Sequence, residues 1–395
     1  MEKLAFVTSC EVCGNDQLFD ALNLGLHPLC DDLVKIGEQR RCIEYPIDII
    51  YCSECNTAHQ RYQVNKKTLF NQEYHYRARV TKSVTDGMRG LVDGAEQRYG
   101  SLANKKVLDI GCNDGSLLDI FREKGCITYG VDPTGAIRDA SDHHNLVNRY
   151  FDDSVASELK RTVGDFDFIT FTNVFAHIED LPALIANLRL VSNEKTIVII
   201  ENHYLGDIIS RGQFDTFYHE HPRTYSHKSF EFIAKSLGMN ISDVEFVSRY
   251  GGNIRVHISQ MPKHNKHIQE DHFFDGLKSM NSDIDHWIKK TSQMIDEEVS
   301  KGGPMPAKAF PGRAAILVKM LGLDESKISA VYEIKGSIKT GYYVPGTRIP
   351  IYPEKDLYEL KTPQRKILNL AWHLPSEVRQ NLKSNGYFGE VLDVR

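Results

Sequence analysis

The sequence predicts an α/β fold in which a mostly parallel central sheet is preceded by a small cysteine-bearing module and followed by a second, smaller α/β unit. Three observations carry that expectation. Short apolar, strand-like runs alternate with helix-like segments between residues 105 and 260, the pattern of parallel strands joined by crossover helices. A glycine-bearing turn, Gly111 to Gly115, closes the first of those runs. Ahead of it lie two Cys-x-x-Cys pairs, Cys10-Glu11-Val12-Cys13 and Cys52-Ser53-Glu54-Cys55.

The cysteine pairs come first in the chain and read as a zinc ribbon. Thiolates at i and i+3 of a tight knuckle bind one ion from the same side, and a second knuckle completes a closed tetrahedral sphere. Cys10, Cys13, Cys52 and Cys55 are therefore the expected ligands of one structural Zn2+, with Cys30 and Cys42 between them as alternatives. Four sulfurs leave no open position, which assigns the ion to structure and not to catalysis.

A chain of 395 residues exceeds one ordinary core, and the expected division is a zinc-binding domain over 1–72, a central domain over 73–260, a helical linker over 261–302 and a C-terminal domain over 303–395. Hydrophobic residues make up 41% and charged residues 26%, a globular composition, and the longest apolar runs, such as Ile197 to Ile200, fall far short of a membrane span. The N-terminus has no extended apolar stretch of a secretory signal, and eight cysteines with two Cys-x-x-Cys pairs fit a reducing compartment, so a cytoplasmic location is expected. Zinc ribbons also bind nucleic acid, but the net charge is -5 and the ribbon holds no long basic run. Neither a nucleic-acid partner nor a membrane is expected.

Leu69 to Arg79 is dense in aromatic and ionisable groups without clear periodicity and reads as a connecting, site-lining segment. Val80 to Arg98 reads as an amphipathic helix, and Lys105 to Gly111 as a short buried strand running into a turn. Further strands are expected at Ile127 to Asp132, Phe166 to Phe171 and Thr196 to Glu201. Val244 to Val247 with Asn253 to Ile258 suits a closing antiparallel hairpin. Met261 to Ser300 reads as helix, and beyond it Gly312 opens a helix-like run, with strands at Ile328 to Glu333 and Ile367 to Trp372.

The turn Asp109-Ile110-Gly111-Cys112-Asn113-Asp114-Gly115 lets backbone approach a ligand closely where a strand passes into a helix. Asp132 follows about twenty residues later at the end of the next strand, where a carboxylate can accept from both hydroxyls of a ribose. Asn113 occupies the second glycine position of the dinucleotide pattern, which disfavours a pyrophosphate and favours an adenosyl ligand without phosphate. This stretch resembles motif I of class I S-adenosylmethionine-dependent methyltransferases. That resemblance implies a class I methyltransferase core, Rossmann-like, in which Asp109, Gly111, Asn113, Asp114 and Asp132, with Asn173 and His177 at a later strand end, line the pocket of the methyl donor.

Phe217-Tyr218-His219-Glu220-His221-Pro222 places four ionisable or hydrogen-bonding side chains in a row after another strand-like segment ends at Glu201-Asn202-His203-Tyr204. Ligands of open α/β sheets bind outside the carboxyl ends of the strands, which puts this row over the crevice. Three readings stand: a metal pair, because His219 and His221 share a face of an extended chain; a surface loop; or general base catalysis by an imidazole.

Taken in order, the Cys-x-x-Cys ribbon, Tyr74-His75-Tyr76, the motif I loop, Asn173 to His177, Tyr218 to His221, Gly251-Gly252-Asn253-Ile254-Arg255 and Gly341 to Pro350 resemble the nucleotide-sugar C-3 methyltransferases of deoxysugar biosynthesis. The resemblance implies a nucleoside-diphosphate 4-keto-6-deoxy sugar as substrate, S-adenosylmethionine as donor, structural Zn2+, and a Rossmann-like C-terminal substrate-binding domain. It implies His221 as the base that removes the C3 proton, with Tyr76 and Tyr218 on the keto or enolate oxygen and Glu220 orienting substrate or base. His219 joins the expected substrate-binding residues, and Arg313 is either a partner of a pyrophosphate or a solvated arginine at a helix start. Arg77-Ala78-Arg79, Ala309 to Ala315 and His373 depart from the family pattern and leave the sugar and nucleotide open. A monomer or small homo-oligomer is expected. The competing readings are an O- or N-methyltransferase on another nucleotide-linked or small molecule, and a zinc-ribbon RNA-binding protein with a methyltransferase fold.

Overall fold

A computed structural model describes residues 4–70, 77–359 and 365–395. The chain divides into two compact units, one formed by Met1–Ala21, Ile49–Arg211 and Glu220–Phe274, the other by Leu22–Asp48, Gly212–His219 and Asp275–Arg395.

In the first unit the end of strand β1 (Glu44–Cys52) and strand β2 (Thr57–Gln60) form the second cysteine hairpin, with Cys52 opposite Thr57. Helix α1 (Lys82–Tyr99) buries Val84, Met88, Leu91, Val92 and Ala95, one stripe at helical spacing. Strand β3 (Lys106–Ile110) is buried along nearly its whole length, as a parallel strand covered on both faces must be. Then follow α2 (Ser116–Glu123), β4 (Ile127–Val131), β5 (Asn145–Val147), α3 (Asp153–Thr162), β6 (Phe168–Thr172), α4 (Leu181–Val191) and β7 (Ile197–His203). Strand β8 (Arg223–Thr224) pairs antiparallel with β2, and α5 (His227–Ser236) leads to the hairpin β9 (Asn240–Val247) and β10 (Asn253–Ser259). The seven-stranded sheet has the order β9-β10-β7-β6-β3-β4-β5. Five of its strands, from β7 to β5 in that order, run parallel, and β10 and β9 close one edge antiparallel.

Val107, Phe168, Ile197 and Ile199 of the sheet pack with Leu91, Val92 and Phe121 of α1 and α2 into one apolar cluster. Helix starts are capped by side-chain oxygens: Asp152 accepts from Val155 N–H and Asp180 from Ala183 N–H, each at 2.9 Å, and Ser226 and Ser229 form a capping box on α5. The expected strand at 196–201 extends to His203, and β5 was not anticipated, being three residues long.

The second unit contains most of α6 (Phe273–Gly302), then β11 (Met305–Lys308), α7 (Ala314–Met320), β12 (Ile328–Glu333), β13 (Ile351–Pro353), α8 (Glu354–Tyr358), β14 (Ile367–Asn369), α9 (Pro375–Ser384) and β15 (Val391–Asp393). Its five-stranded sheet is parallel throughout, in the order β13-β12-β11-β14-β15. The strand expected through Trp372 stops at Asn369, whose Oδ1 accepts from Ala371 N–H at 2.9 Å and whose Nδ2 donates to Asp393 at 2.7 Å, a side-chain turn that ends the ladder. Among the described residues no helix is long and apolar enough to cross a membrane.

Candidate active site and zinc centre

The four ribbon sulfurs lie within 4.8 Å of one another, with Cys10 Sγ 3.4 Å from Cys55 Sγ and Cys13 Sγ 3.6 Å from Cys52 Sγ. Tetrahedral zinc with Zn–S bonds of about 2.3 Å needs sulfur separations of about 3.8 Å, so the cage fits the ion. Each knuckle turns through a left-handed residue just past its second cysteine, Gly14 at φ +80° and Asn56 at φ +55°, conformations that glycine and asparagine adopt at least cost. Among the described residues this is the one cluster able to hold a metal. The alternative ligands Cys30 and Cys42 are outside it, as are His219 and His221.

Within the first unit the knuckle is tied to the segment that follows β6 by Arg223, which is fully buried. Its Nη1 donates to Glu11 Oε2 at 2.6 Å, its Nε to the Tyr225 hydroxyl at 2.9 Å, and its Nη2 to the carbonyl of Ile178. Glu11 therefore links the first zinc hook to the loop that follows His177.

The glycine-bearing loop after β3 is shaped by backbone that tolerates no side chain at one point. A Cβ on Gly111 (φ +75°) would lie 2.5 Å from Val174. Asp132 Oδ2 accepts from Asn113 N–H at 2.9 Å, and Oδ1 accepts from Thr134 N–H at 2.8 Å and from its hydroxyl at 2.6 Å, which fixes the carboxylate at the carboxyl end of β4. The Asn113 and Asp114 side chains face the segment before α1: Asn113 Oδ1 accepts from Ala78 N–H at 3.1 Å and Asp114 Oδ2 from Arg79 N–H at 2.9 Å. Asp109 is buried inside β3 with the Thr170 hydroxyl 2.7 Å from Oδ1. Burial pushes its carboxyl up to about 7, the Thr170 bond opposing this and the Asp132 charge adding to it. Burial raises Asp132 as well.

His177, His203 and His221 meet at the same edge of the sheet. The His221 ring is 4.9 Å from His177 and 5.4 Å from His203, centroid to centroid, and His203 is 5.8 Å from the Tyr250 ring. His221 and Glu220 are buried, His177 and His203 half-buried. Glu220 Oε2 lies 4.0 Å from His177 Nδ1. Desolvation holds the His177 imidazole down to about 4, with backbone hydrogen bonds to Asn173 and Glu220 opposing it, so it is neutral at physiological pH.

Beside this row Glu201 is fully buried and stands opposite Arg255 in the β7–β10 register. Arg255 Nε and Nη2 reach Glu201 Oε2 at 2.9 and 2.8 Å, Arg249 Nε reaches Oε1 at 3.0 Å, and Asn253 Nδ2 reaches Oε1 at 3.1 Å. Asn253 Nδ2 also donates to Asn173 Oδ1 at 3.0 Å, and Asn173 N–H to the Glu201 carbonyl at 2.7 Å. Asn173 and Tyr250 both hold left-handed backbone, φ +56° and +55°. Such conformations persist where surroundings over-determine them and cluster at functional sites.

The structure thus brings together Asp109, Gly111, Asn113, Asp114, Asp132, Asn173, His177, Glu220 and His221 in one unit. Tyr76 lies outside the described residues. Tyr218, His219 and Arg313 belong to the second unit, where His219 Nε2 is 3.1 Å from the Tyr45 carbonyl and burial holds its imidazole down to about 4. Arg313 Nε donates to the buried Asp215 at 2.7 Å and its guanidinium lies over Trp372, so the arginine is not a solvated one. Glu201, His203, Arg223 and Tyr250 were not singled out from the sequence. His203 sits at a strand end, the one signal that could have found it.

Three family models match consecutive stretches: a zinc binding domain over residues 10–70, a methyltransferase domain over 87–244 and a C-methyltransferase C-terminal domain over 249–390. The C-methyltransferase NovU of Streptomyces niveus is 25% identical over 395 residues, covering 95% of this chain and 92% of its own. The ubiquinone biosynthesis O-methyltransferase of Acinetobacter baumannii (strain AYE) is 28% identical over 95 residues, covering 23% of this chain and 40% of its own. A crystal structure of magnesium protoporphyrin IX methyltransferase from Synechocystis PCC 6803 with bound SAH shares 17% identity at a TM-score of 0.35, covering 47% of this chain and 90% of that one. With a four-cysteine zinc site, a motif I loop on a parallel sheet and the three matching models in one order, the chain belongs to the S-adenosylmethionine-dependent methyltransferases, in the arrangement where a zinc-binding domain precedes and a C-methyltransferase domain follows the donor-binding fold.

Proposed function

We propose that this C-methyltransferase acts at C3 of a nucleoside-diphosphate 4-keto-6-deoxy sugar, with His221 as the base. The observation that carries the reading is the buried His221 within the imidazole row at the carboxyl edge of the sheet, in the same unit as the donor loop. S-adenosylmethionine supplies an electrophilic methyl group. A ketone at C4 acidifies the C3 proton, His221 accepts that proton, and the C3–H electron pair passes into an enolate whose carbon takes the methyl group. Glu220 orients the base or substrate, Tyr218 and Tyr76 bind the C4 oxygen, and Asp132 holds the donor ribose. The C-terminal residues 303–395 hold the nucleotide-sugar, with His219 contributing to its binding and Arg313 assigned to the pyrophosphate.

The test is solvent-deuterium exchange at C3 of a dTDP- or GDP-linked 4-keto-6-deoxyhexose without methyl donor. The unmodified enzyme should catalyse exchange, and His221→Asn should lose it while kcat for methylation falls by about 10²–10⁴, the usual contribution of a positioned base. Methyl transfer to these substrates without enzyme-dependent C3 exchange would favour an oxygen or nitrogen acceptor.

A further inference from the structure

Carbon methylation by this route leaves a proton on His221 at the end of every turnover, and His221 is 4% exposed. The proton needs a way out that does not pass through the bound sugar. Among the described residues, two imidazoles adjoin His221. His177 is the first, and at a pKa of about 4 it is roughly 300-fold less basic than an ordinary imidazole, a poor acceptor. Edge-on Phe70, 5.0 Å from the His177 ring, walls that side. His203 is the other neighbour, half-buried at the end of β7, with its ring 5.4 Å from His221. Tyr250 packs on the His203 ring at 5.8 Å. It is held there in left-handed backbone at φ +55°, next to Arg249, which Glu201 anchors. A bulky aromatic in that conformation is kept only where its neighbours fix it.

We infer that His203 is the proton exit of the reaction, taking the C3 proton from His221 and passing it to solvent while Tyr250 fixes its ring. The steps balance. The C3–H bond breaks with its proton going to a His221 nitrogen and its electron pair to the enolate; the methyl–sulfur bond breaks as the C3–methyl bond forms; His221 then loses the proton to His203 and His203 to water. His203 touches no substrate atom in this scheme. It is a positioning and relay residue acting through His221, and the inference rests on His221 being the base.

The relay separates two measurements that a structural role would move together. A first methyl transfer needs only a neutral His221, whereas a second turnover, and exchange of C3 hydrogen with solvent, need the proton to leave. With a dTDP- or GDP-linked 4-keto-6-deoxyhexose, His203→Gln and His203→Asn should lower steady-state turnover and C3 exchange about ten- to a hundredfold relative to their own single-turnover rate. Added imidazole should restore both. Unchanged exchange, or single-turnover, steady-state and exchange rates falling by one common factor without imidazole rescue, would overturn the relay. If instead the unmodified enzyme shows no C3 exchange, or His221→Asn exchanges as fast as it does, the reading of the reaction itself has failed.

Discussion

Glu201→Gln is the substitution that most sharply probes how the site is held. Glu201 receives five side-chain donors, Nε and Nη2 of Arg249, Nε and Nη2 of Arg255, and Nδ2 of Asn253. The three charged side chains are nearly dry: Glu201 is 0% exposed, Arg249 6% and Arg255 5%. Glutamine keeps the volume but removes the charge and turns one acceptor into a donor that faces donors. Breaking a buried ion pair by neutralising one partner costs about 3–5 kcal/mol, because the remaining charge stays desolvated. Arg255 retains Glu245 Oε2 at 3.0 Å, whereas Arg249 is left with the Val84 carbonyl at 2.7 Å, so the expected loss is at the lower end, about 3 kcal/mol. The same change frees Asn253 from Glu201 and loosens Asn173, whose left-handed backbone should relax by about 1 kcal/mol, weakening donor affinity about fivefold. Urea unfolding measures the first quantity and calorimetry with S-adenosylhomocysteine the second. A Glu201→Gln protein within about 1 kcal/mol of the parent, with unchanged donor affinity, would refute the claim that this carboxylate organises the site.

Cys52→Ser should lose zinc and stability together, read by metal analysis and thermal unfolding; a stable protein with a full complement of metal would contradict the closed thiolate cage. Asp132→Ala should weaken S-adenosylmethionine binding by roughly 1.5–3 kcal/mol, the range of a charge-assisted hydrogen bond, with little effect on sugar-nucleotide affinity; intact donor binding by calorimetry would remove Asp132 from the pocket. Asp109 is an acid whose folded pKa, about 7, is raised above the ordinary aspartate value of 3.8. Between those values the folded state holds a proton that the unfolded state has lost, so stability falls as pH rises through that window, by up to about 4 kcal/mol. Asp109→Asn should flatten the slope between about pH 4 and 7 and be the more stable protein at about pH 8. A parent and variant with parallel stability profiles would show that Asp109 is ionised throughout.

The sheet was legible because its central parallel strands carry continuous apolar runs. Val107-Leu108 and Ile197 to Ile200 are buried on both faces. The stripe of α1 was legible because burial on one side leaves a periodic mark. What escaped were elements whose hydrogen bonds do not show in the pattern, such as β5 and the end of β14 at the Asn369 turn. The pairing of His219 with His221 on one face assumed an extended chain. The chain turns at His219 and Glu220 instead, and the alternation rule no longer applies.

The imidazole row shows what sequence reasoning reaches and where it stops. His177 and His203 follow or end β6 and β7, which run parallel with Thr172 opposite Glu201, so both must emerge at the carboxyl edge where ligands bind. Their shared neighbourhood follows from strand order alone. That His221 closes between them depends on a connection far from any long strand, and it is fixed two residues later by Arg223, whose guanidinium is held by Glu11 of the zinc knuckle and by the carbonyls beyond His177. Without that arginine the knuckle and the loop would each lose a buried partner. The zinc ribbon in this fold therefore does more than stabilise its own hairpin: through Glu11 and Arg223 it fixes the strand that follows His221 to the loop that follows His177.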